Sequence, residues 1–204
     1  MRPDGTGVRQ LTVNTWDYGP AWSPDGTRIA FASSRDGDDP GIYTMLPGGT
    51  DVRQLTLNDT WEFLPAWFPD GTRIAFQSDR DGDSEIYTMR PDGTDVRRLT
   101  VNDWVDGAPA WSPDGTRIAF SGRDYEIYTM RSDGTDVRQL TANDAGNVGP
   151  QVNVFPVWSP DGTRIAFTSD RDGDWEIYTM RSDGTDVRQL TANSWTDTRP
   201  AWSP

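Results

Sequence analysis

An internal repeat constrains the fold of this chain more than any other feature of its sequence. A closely similar block begins at Met1, Met45, Met89, Met130 and Met180, so the repeat recurs at spacings of 44, 44, 41 and 50 residues. Periods of about 40 to 50 residues are typical of propellers and solenoids, in which each repeat buries its apolar faces against its neighbours. We therefore expect an array of similar units packed in series.

Each repeat contains four short runs of apolar or β-branched residues. In the second repeat these runs are Val52–Thr56, Pro65–Trp67, Thr72–Phe76 and Glu85–Met89. None of them has the length or the i, i+3, i+4 spacing of an amphipathic helix, and short runs of this kind indicate strands. The sequence therefore predicts an all-β protein.

Two series of tight turns join these runs. The segment 23–27 reads SPDGT, in which Pro24 presets the backbone for a type I turn and Gly26 accepts the left-handed conformation that follows. Segments of the same kind, such as RPDGT at 90–94, connect the last run of one repeat to the first run of the next. Successive strands are thus joined by hairpins, which predicts a four-stranded antiparallel meander.

The side-chain pattern predicts how these meanders pack. Ile74 and Phe76 face one side of their strand and Ala75 faces the other. The bulky face of one meander can therefore pack against the small-residue face of the next, as in the blades of a β-propeller. Solenoid stacking is less favoured because the meanders offer no parallel rungs. We predict a single β-propeller domain over 1–204, with complete blades near 20–56, 65–100, 109–141 and 156–191.

Two strand-like segments remain outside the four complete blades, at 8–12 and 200–204. They could meet to form a reduced fifth blade, which would give a five-bladed ring within one chain. They could instead pair between copies, giving a larger ring or a swapped dimer, because closely similar blades make the interfaces interchangeable. A fragment of a longer propeller is a third interpretation.

The repeat resembles the WD-repeat-like motif of TolB-type β-propellers. The resemblance lies in the segments AWFPDGTRIAF at 66–76, SDRDG at 78–82, EIY at 85–87 and QLT at 54–56, and it covers essentially the whole chain. It implies a propeller that binds other proteins in the periplasm or outside the cell, although non-catalytic propellers of prolyl-oligopeptidase-type and tricorn-type peptidases share the motif. The copies are more alike than folding requires, which indicates recent amplification or deliberate engineering.

Composition excludes several classes of function. All 19 basic residues are arginine, 28 of the 32 acidic residues are aspartate, and the chain has no lysine, histidine or cysteine. Serine–histidine and cysteine–histidine nucleophiles, cysteine zinc sites and lysine-dependent chemistry are therefore absent, so we expect no enzyme and no cofactor. The net charge of −13 argues against nucleic acid as a partner, because phosphate binding requires clustered basic residues.

The start of the chain, MRPDG, lacks the apolar region of a signal peptide, and no run of about 18 apolar residues occurs. We expect a soluble chain without membrane insertion. The sequence does not indicate its compartment.

The segments between successive blades carry the candidate binding residues. Each of four such connectors places a tryptophan near an acid, in the pairs Trp16 and Asp17, Trp61 and Glu62, Trp104 and Asp106, and Trp195 and Asp197. We expect the connectors to lie on one end of the ring, where aromatic anchors beside negative charge suit a basic segment of a partner protein. The alternative is that each tryptophan only covers the edge of the adjoining blade.

Two loops invite a calcium interpretation, because alternate aspartates can offer oxygen ligands to a hard cation. The aspartates concerned are Asp79, Asp81 and Asp83 in one loop and Asp170, Asp172 and Asp174 in the other. The fit to a calcium-binding loop is partial, and turn chemistry with an internal Arg–Asp pair explains the same residues.

A glycoside hydrolase-like or carbohydrate-binding propeller is the alternative function. Such an enzyme would need two carboxylates facing each other at the channel mouth, separated by about 5 to 9.5 Å. The acids here mostly recur in every repeat, whereas a catalytic site needs unlike residues in one place. We therefore favour a non-catalytic scaffold, whether or not it has acquired a dedicated partner.

Overall fold

The computed structural model describes residues 6–13, 16–57, 60–142 and 151–203. Within these residues sixteen strands form four separate four-stranded antiparallel sheets arranged in a propeller ring. The one helical element of the described chain is a single 3-10 turn at Arg123–Tyr125. The all-β propeller fold is confirmed.

The strands follow each other in chain order within every blade. Blade 1 contains β1 (Asp17–Trp22), β2 (Ile29–Ser33), β3 (Gly41–Met45) and β4 (Arg53–Gln54). Blade 2 contains β5 (Glu62–Trp67), β6 (Ile74–Ser78), β7 (Glu85–Met89) and β8 (Arg97–Arg98). Blade 3 contains β9 (Gly107–Trp111), β10 (Arg117–Gly122), β11 (Glu126–Arg131) and β12 (Arg138–Gln139). Blade 4 contains β13 (Asn153–Trp158), β14 (Arg164–Ser169), β15 (Glu176–Arg181) and β16 (Arg188–Gln189).

Tight turns of the predicted kind close the hairpins. In the first, Asp25 Oδ1 accepts hydrogen bonds from the Thr27 backbone N–H at 3.0 Å and from the Ser23 hydroxyl at 2.6 Å. Gly26 adopts the left-handed conformation, with φ of 68°. The turn therefore forms from local side-chain hydrogen bonds before any contact between blades is needed.

An arginine in the second strand of each blade forms an ion pair within that blade. Arg28 contacts Asp51 at 2.9 Å, and Arg117 contacts Asp136 at 2.9 Å. The same pairing joins Arg73 to Asp95 and Arg164 to Asp186. Because the arginine recurs with an equivalent partner around the ring, it holds the outer hairpin of its own blade and serves no single site.

Bulky and small faces alternate between blades as the sequence predicts. Ala30, Ala32 and Ile42 of blade 1 form one buried cluster with residues of blade 2, including Ile74 and Phe76. The corresponding clusters join Ala75 and Ile86 to blade 3, and Ala119 and Ile127 to blade 4. Each interface thus pairs alanines with large side chains, which permits dense packing without a cavity.

In blades 2, 3 and 4 the tryptophan at the end of the innermost strand donates its indole N–H to the preceding blade. Trp67 Nε1 donates to the Ala21 carbonyl, Trp111 Nε1 to the Ala66 carbonyl and Trp158 Nε1 to the Ala110 carbonyl, each at 3.2 Å. The hydrogen bond fixes the angle between neighbouring blades, because the rigid indole ring leaves its N–H little freedom of position.

The two segments predicted as left-over strands, 8–12 and 200–204, have no assigned strand in their described residues. Each nevertheless contacts a blade in the repeating manner. Leu11 packs against the bulky cluster of blade 1, and Trp202 Nε1 donates to the Val157 carbonyl of blade 4 at 3.1 Å. A fifth blade formed by these two segments stays a prediction.

Backbones of neighbouring blades approach most closely at a glycine in the outer hairpin. A Cβ atom on Gly134, whose φ is 86°, would lie 2.6 Å from the Leu99 carbonyl oxygen of the preceding blade. Gly26 also has a positive φ, of 68°, but a Cβ atom there would meet no atom within 4 Å. Comparing substitutions at Gly134 and Gly26 therefore separates the cost of backbone strain from the cost of contact between blades.

We expect Gly134→Ala to destabilise the protein more than Gly26→Ala. Both substitutions pay the cost of a left-handed alanine, roughly 1–2 kcal/mol. Gly134→Ala adds the cost of overpacking against blade 2, about 1–3 kcal/mol. Urea unfolding of both variants measures the difference, and equal losses would show that the blades do not approach each other at this point.

Candidate functional site

The four connector tryptophans are exposed. The exposed fraction is 66% for Trp16, 54% for Trp61, 43% for Trp104 and 78% for Trp195. By contrast, the strand tryptophans Trp111 and Trp158 are only 9% and 8% exposed. We use the name connector face for the exposed surface of the inter-blade connectors that carry these four tryptophans.

The acids beside these tryptophans have different environments. Glu62 and Asp106 are buried, with 0% and 3% exposure, so their carboxylates do not reach the connector face. Asp17 is half-buried and forms an ion pair with Arg35 at 3.2 Å. Asp197 accepts a hydrogen bond from Asn193 Nδ2 at 2.7 Å. Two of the four acids paired with a tryptophan in the sequence are therefore buried, and the other two, Asp17 and Asp197, are half-buried.

Burial of these acids follows from their position in the chain. Asp17 and Glu62 begin the innermost strands of blades 1 and 2, next to the preceding interface. Arg80, from the loop after β6, forms an ion pair with Glu62, as Arg35 does with Asp17. Blade 3 differs because its shortened loop directs Arg123 outward, where the guanidinium lies 4.3 Å from the centre of the Trp104 ring.

Asp106 shares the interface between blades 2 and 3 with a second carboxylate, that of Glu85. Asn102 bridges the two: its Nδ2 donates to Asp106 Oδ2 at 2.7 Å and its backbone N–H donates to Glu85 Oε1 at 2.8 Å. Arg98 also donates to Glu85, at 2.5 Å. Burial, reinforced by the charge of Glu85, raises the pKa of Asp106 to about 7.

A cavity on the connector face lies between blades 1 and 2. It has a volume of about 760 Å³ and is lined by Trp16, Tyr18, Ser34, Gly37, Asp38, Pro40, Trp61 and Phe63. The rings contact each other: the centroids of Tyr18 and Phe63 are 5.3 Å apart, and those of Trp61 and Phe63 are 5.7 Å apart. We call this cavity the aromatic pocket.

Sequence reasoning identified two of the four aromatic residues of this pocket. Tyr18 and Phe63 lie in the same connectors, before the predicted blades at 20–56 and 65–100, but only the tryptophans and the acids beside them were selected from the sequence. The available signal was their position: both stand immediately after an acid at the start of an innermost strand, where blade 3 has Gly107 and blade 4 has Val154. Aromatic residues at this repeat position can contact each other only when they lie in neighbouring blades, as Tyr18 of blade 1 and Phe63 of blade 2 do.

The loop aspartates considered as calcium ligands have separate partners. Asp79 Oδ1 accepts from the Trp61 backbone N–H at 2.8 Å, Asp81 Oδ2 accepts from the Tyr87 hydroxyl at 2.5 Å, and Asp170 Oδ1 accepts from the Val152 N–H at 2.7 Å. Asp172 accepts from Gln189. Among residues 6–13, 16–57, 60–142 and 151–203, no group of three acids is placed to hold a metal ion. Asp83 and Asp174 belong to no such group.

The axial cavity of about 300 Å³ bears on the glycosidase alternative. It is lined by Gly19, Pro20, Leu64, Pro65, Ala108, Pro109, Phe155, Pro156, Val157, Arg199 and Pro200. No carboxylate occurs among these described lining residues, so the axial cavity does not favour a pair of facing acids.

No helix of the described chain is long and apolar enough to cross a membrane.

Comparison with known families identifies the repeat. The model of the TolB beta propeller domain matches residues 5–106 and 102–204. Among curated proteins no sequence matches the chain.

Solved structures with the same fold include two TolB proteins. The putative TolB from Agrobacterium tumefaciens is 26% identical with a TM-score of 0.78, and the match covers 88% of this chain and 67% of that protein. TolB from Acinetobacter baumannii is 24% identical with a TM-score of 0.77, over 96% of this chain and 49% of that one. The chain thus spans about two thirds and about half of the two proteins.

A puromycin-hydrolyzing peptidase from Mycobacterium tuberculosis is also similar, at 16% identity and a TM-score of 0.69. The match covers 91% of this chain and 30% of the peptidase. At this identity the likeness shows the fold alone.

The pKa of Asp106 gives a pH-dependent prediction. In the unfolded chain the pKa of an aspartate lies near its ordinary value of 3.8, whereas in the fold the pKa of Asp106 is about 7. The folded state therefore binds more protons between these values, and the free energy of unfolding falls as pH rises from about 4 to 7, by at most about 1.4 kcal/mol per pH unit.

Asp106→Asn removes this ionisation, so we expect the variant to gain stability relative to the wild type as pH rises from 4 to 8. The control is Asp197→Asn, which alters the same repeat position at a partly exposed site. Unfolding in urea across this pH range measures both differences. A stability difference between Asp106→Asn and the wild type that stays constant with pH would contradict the assignment.

Proposed function

The chain belongs to the TolB β-propeller domain family, and from this membership we propose that it is a non-catalytic scaffold that binds a protein or peptide through the connector face. The observation that carries the proposal is the exposure of the four connector tryptophans, between 43% and 78%. Large aromatic side chains contribute disproportionately to protein interfaces because they bury much area with little loss of conformational entropy.

Packing alone does not account for these tryptophans. A tryptophan side chain that only covered a blade edge would be buried as fully as Trp111 and Trp158, which are about nine-tenths buried. Exposed apolar area of this kind is costly for an isolated soluble domain and is typical of an interaction site. The connector face therefore has area available for a partner.

Charge indicates the chemistry of that partner. The chain carries a net charge of −13, and several of its arginines are already committed to ion pairs inside the blades, as Arg28, Arg117 and Arg164 are. The long-range field therefore attracts a basic protein segment and repels an acidic one.

The proposal is non-catalytic because three residue types that commonly act as nucleophiles or general bases are absent and because the buried glutamate of blade 2 is held in an ion pair. The chain has no histidine, cysteine or lysine, and Glu62 is paired with Arg80 in an interface. Similarity to peptidases is limited to the fold and supports no hydrolytic activity here.

Selection from a random peptide library tests the proposal. We expect enriched peptides to be rich in arginine and lysine, and to lose at least about tenfold in affinity, equivalent to about 1.4 kcal/mol, when the four connector tryptophans are replaced by alanine. A matched control replaces four exposed valines that share one repeat position just before the outermost strand and lie outside the connectors, namely Val8, Val52, Val96 and Val187.

Two outcomes would contradict the proposed function. One is that no peptide is enriched above background. The other is that enriched peptides bind the variant without the connector tryptophans as tightly as they bind the wild type, which would place recognition elsewhere.

We also propose that copies of this 204-residue chain associate through the edge of blade 1. Trp22 occupies the same repeat position as Trp67, Trp111 and Trp158, yet it is 58% exposed. The complementary acceptor would be the carbonyl of Ala201, because the equivalent residues Ala21, Ala66 and Ala110 accept indole hydrogen bonds from the next blade. A second copy can thus offer its segment 198–203 to Trp22 by repeating a contact that the chain already uses.

Native mass spectrometry of the chain at rising concentration tests this association. We expect a species whose mass is a discrete multiple of 22.8 kDa. It should dissociate in the Trp22→Ala variant and persist in the control variant Trp195→Ala, which removes an exposed tryptophan from the connector face. A wild-type chain that stays at 22.8 kDa at every concentration would contradict the proposal.

A further inference from the structure

The aromatic pocket differs from the rest of the connector face in having four aromatic residues in one cavity. Trp16, Tyr18, Trp61 and Phe63 line it together with one acid, Asp38. The π-faces of aromatic rings attract cations, and the attraction increases when several rings and a carboxylate surround the same volume. The composition of the pocket therefore selects for an organic cation over a neutral or anionic group.

The backbone around the pocket is fixed by hydrogen bonds between elements. The Ser34 N–H donates to the Trp16 carbonyl at 3.3 Å, and the Trp61 N–H donates to Asp79 Oδ1 at 2.8 Å. The Glu62 N–H donates to the Pro40 carbonyl at 2.9 Å and joins blade 2 to the loop of blade 1. The backbone that carries the rings is thus fixed before any ligand binds, which lowers the entropy cost of binding.

The chain itself shows which cation suits a connector tryptophan. In blade 3 the guanidinium of Arg123 lies 4.3 Å from the centre of the Trp104 ring. The arginines nearest to the aromatic pocket have other positions: Arg35 lies over Phe31 and Tyr43, and Arg80 lies over Phe76 and Tyr87. The pocket offers the same kind of ring face that Arg123 occupies elsewhere.

We propose that the aromatic pocket binds the guanidinium of an arginine side chain on a partner polypeptide. The inference rests on the proposed function and specifies its chemistry at one place on the connector face. A planar guanidinium can stack on an indole ring and at the same time donate hydrogen bonds to a carboxylate, here that of Asp38. The cavity of about 760 Å³ has room for the whole side chain.

Titration followed by NMR of the indole N–H signals tests the proposal directly. The probe is N-acetyl-L-arginine methylamide, and its neutral control is the citrulline analogue, which has nearly the same shape without the charge. We expect saturable shifts of the Trp16 and Trp61 signals with the arginine probe, with a Kd on the order of 1 mM for a single side chain, and no saturable shift with citrulline.

Variants locate the site. Trp16→Leu and Asp38→Asn should each weaken binding of the arginine probe, the first by about tenfold or more and the second by several-fold, equivalent to about 1 kcal/mol or less at a partly exposed ion pair. Tyr125→Leu, at an exposed aromatic residue outside the connectors, is the control and should leave the affinity unchanged. Equal shifts with arginine and citrulline, or loss of binding only in Tyr125→Leu, would overturn the proposal.

A second probe, the capped peptide Gly-Ser-Arg-Ser-Gly, tests the polypeptide source. It should bind at least as tightly as the single capped arginine. Binding of the arginine probe without the peptide would overturn the polypeptide source, because the pocket would then admit only a free small cation. If library peptides require Trp104 and Trp195 while the arginine probe fails, the scaffold function stands and this inference fails.

Discussion

The contact between consecutive blades is the interaction on which the rest of this structure depends. Each interface combines a bulky face, a small-residue face, an indole hydrogen bond and a close backbone approach at glycine. The interface between blades 2 and 3 shows all four: Ala75 packs with Phe120, Trp111 donates to Ala66, and Gly134 lies against Leu99. No blade buries both of its faces alone, so stability accumulates from one interface to the next.

The exposure of the connector tryptophans follows from the ion pairs beside them. Glu62 is buried and Asp17 is half-buried, and Arg80 and Arg35 neutralise them. The tryptophans stand one or two positions earlier in the chain, outside these ion pairs, so they are exposed while their neighbouring carboxylates are buried or half-buried. Blade 3, with a shorter loop, uses Arg123 on Trp104 instead, and this exception indicates the ligand chemistry of the aromatic pocket.

Sequence reasoning predicted the fold well because the repeat gives the same local information several times. The turn at Ser23–Thr27 and the alternation of Ile74, Ala75 and Phe76 are local signals, and both were confirmed. The site was less accessible. The burial of Asp106 and the meeting of Tyr18 with Phe63 depend on contacts between blades, and no property of a single repeat reveals which neighbours will share an interface.

Hydroxyl-radical footprinting of the ten tryptophans tests the central claim most directly, because it measures burial in blade interfaces and exposure on the connector face in one experiment. The structure predicts slow oxidation of Trp111 and Trp158, which lie in the interfaces, and rapid oxidation of Trp16, Trp61, Trp104 and Trp195. Equal protection of both groups in the isolated chain would contradict the account, because the connector tryptophans would then be packing residues with no area left for a partner.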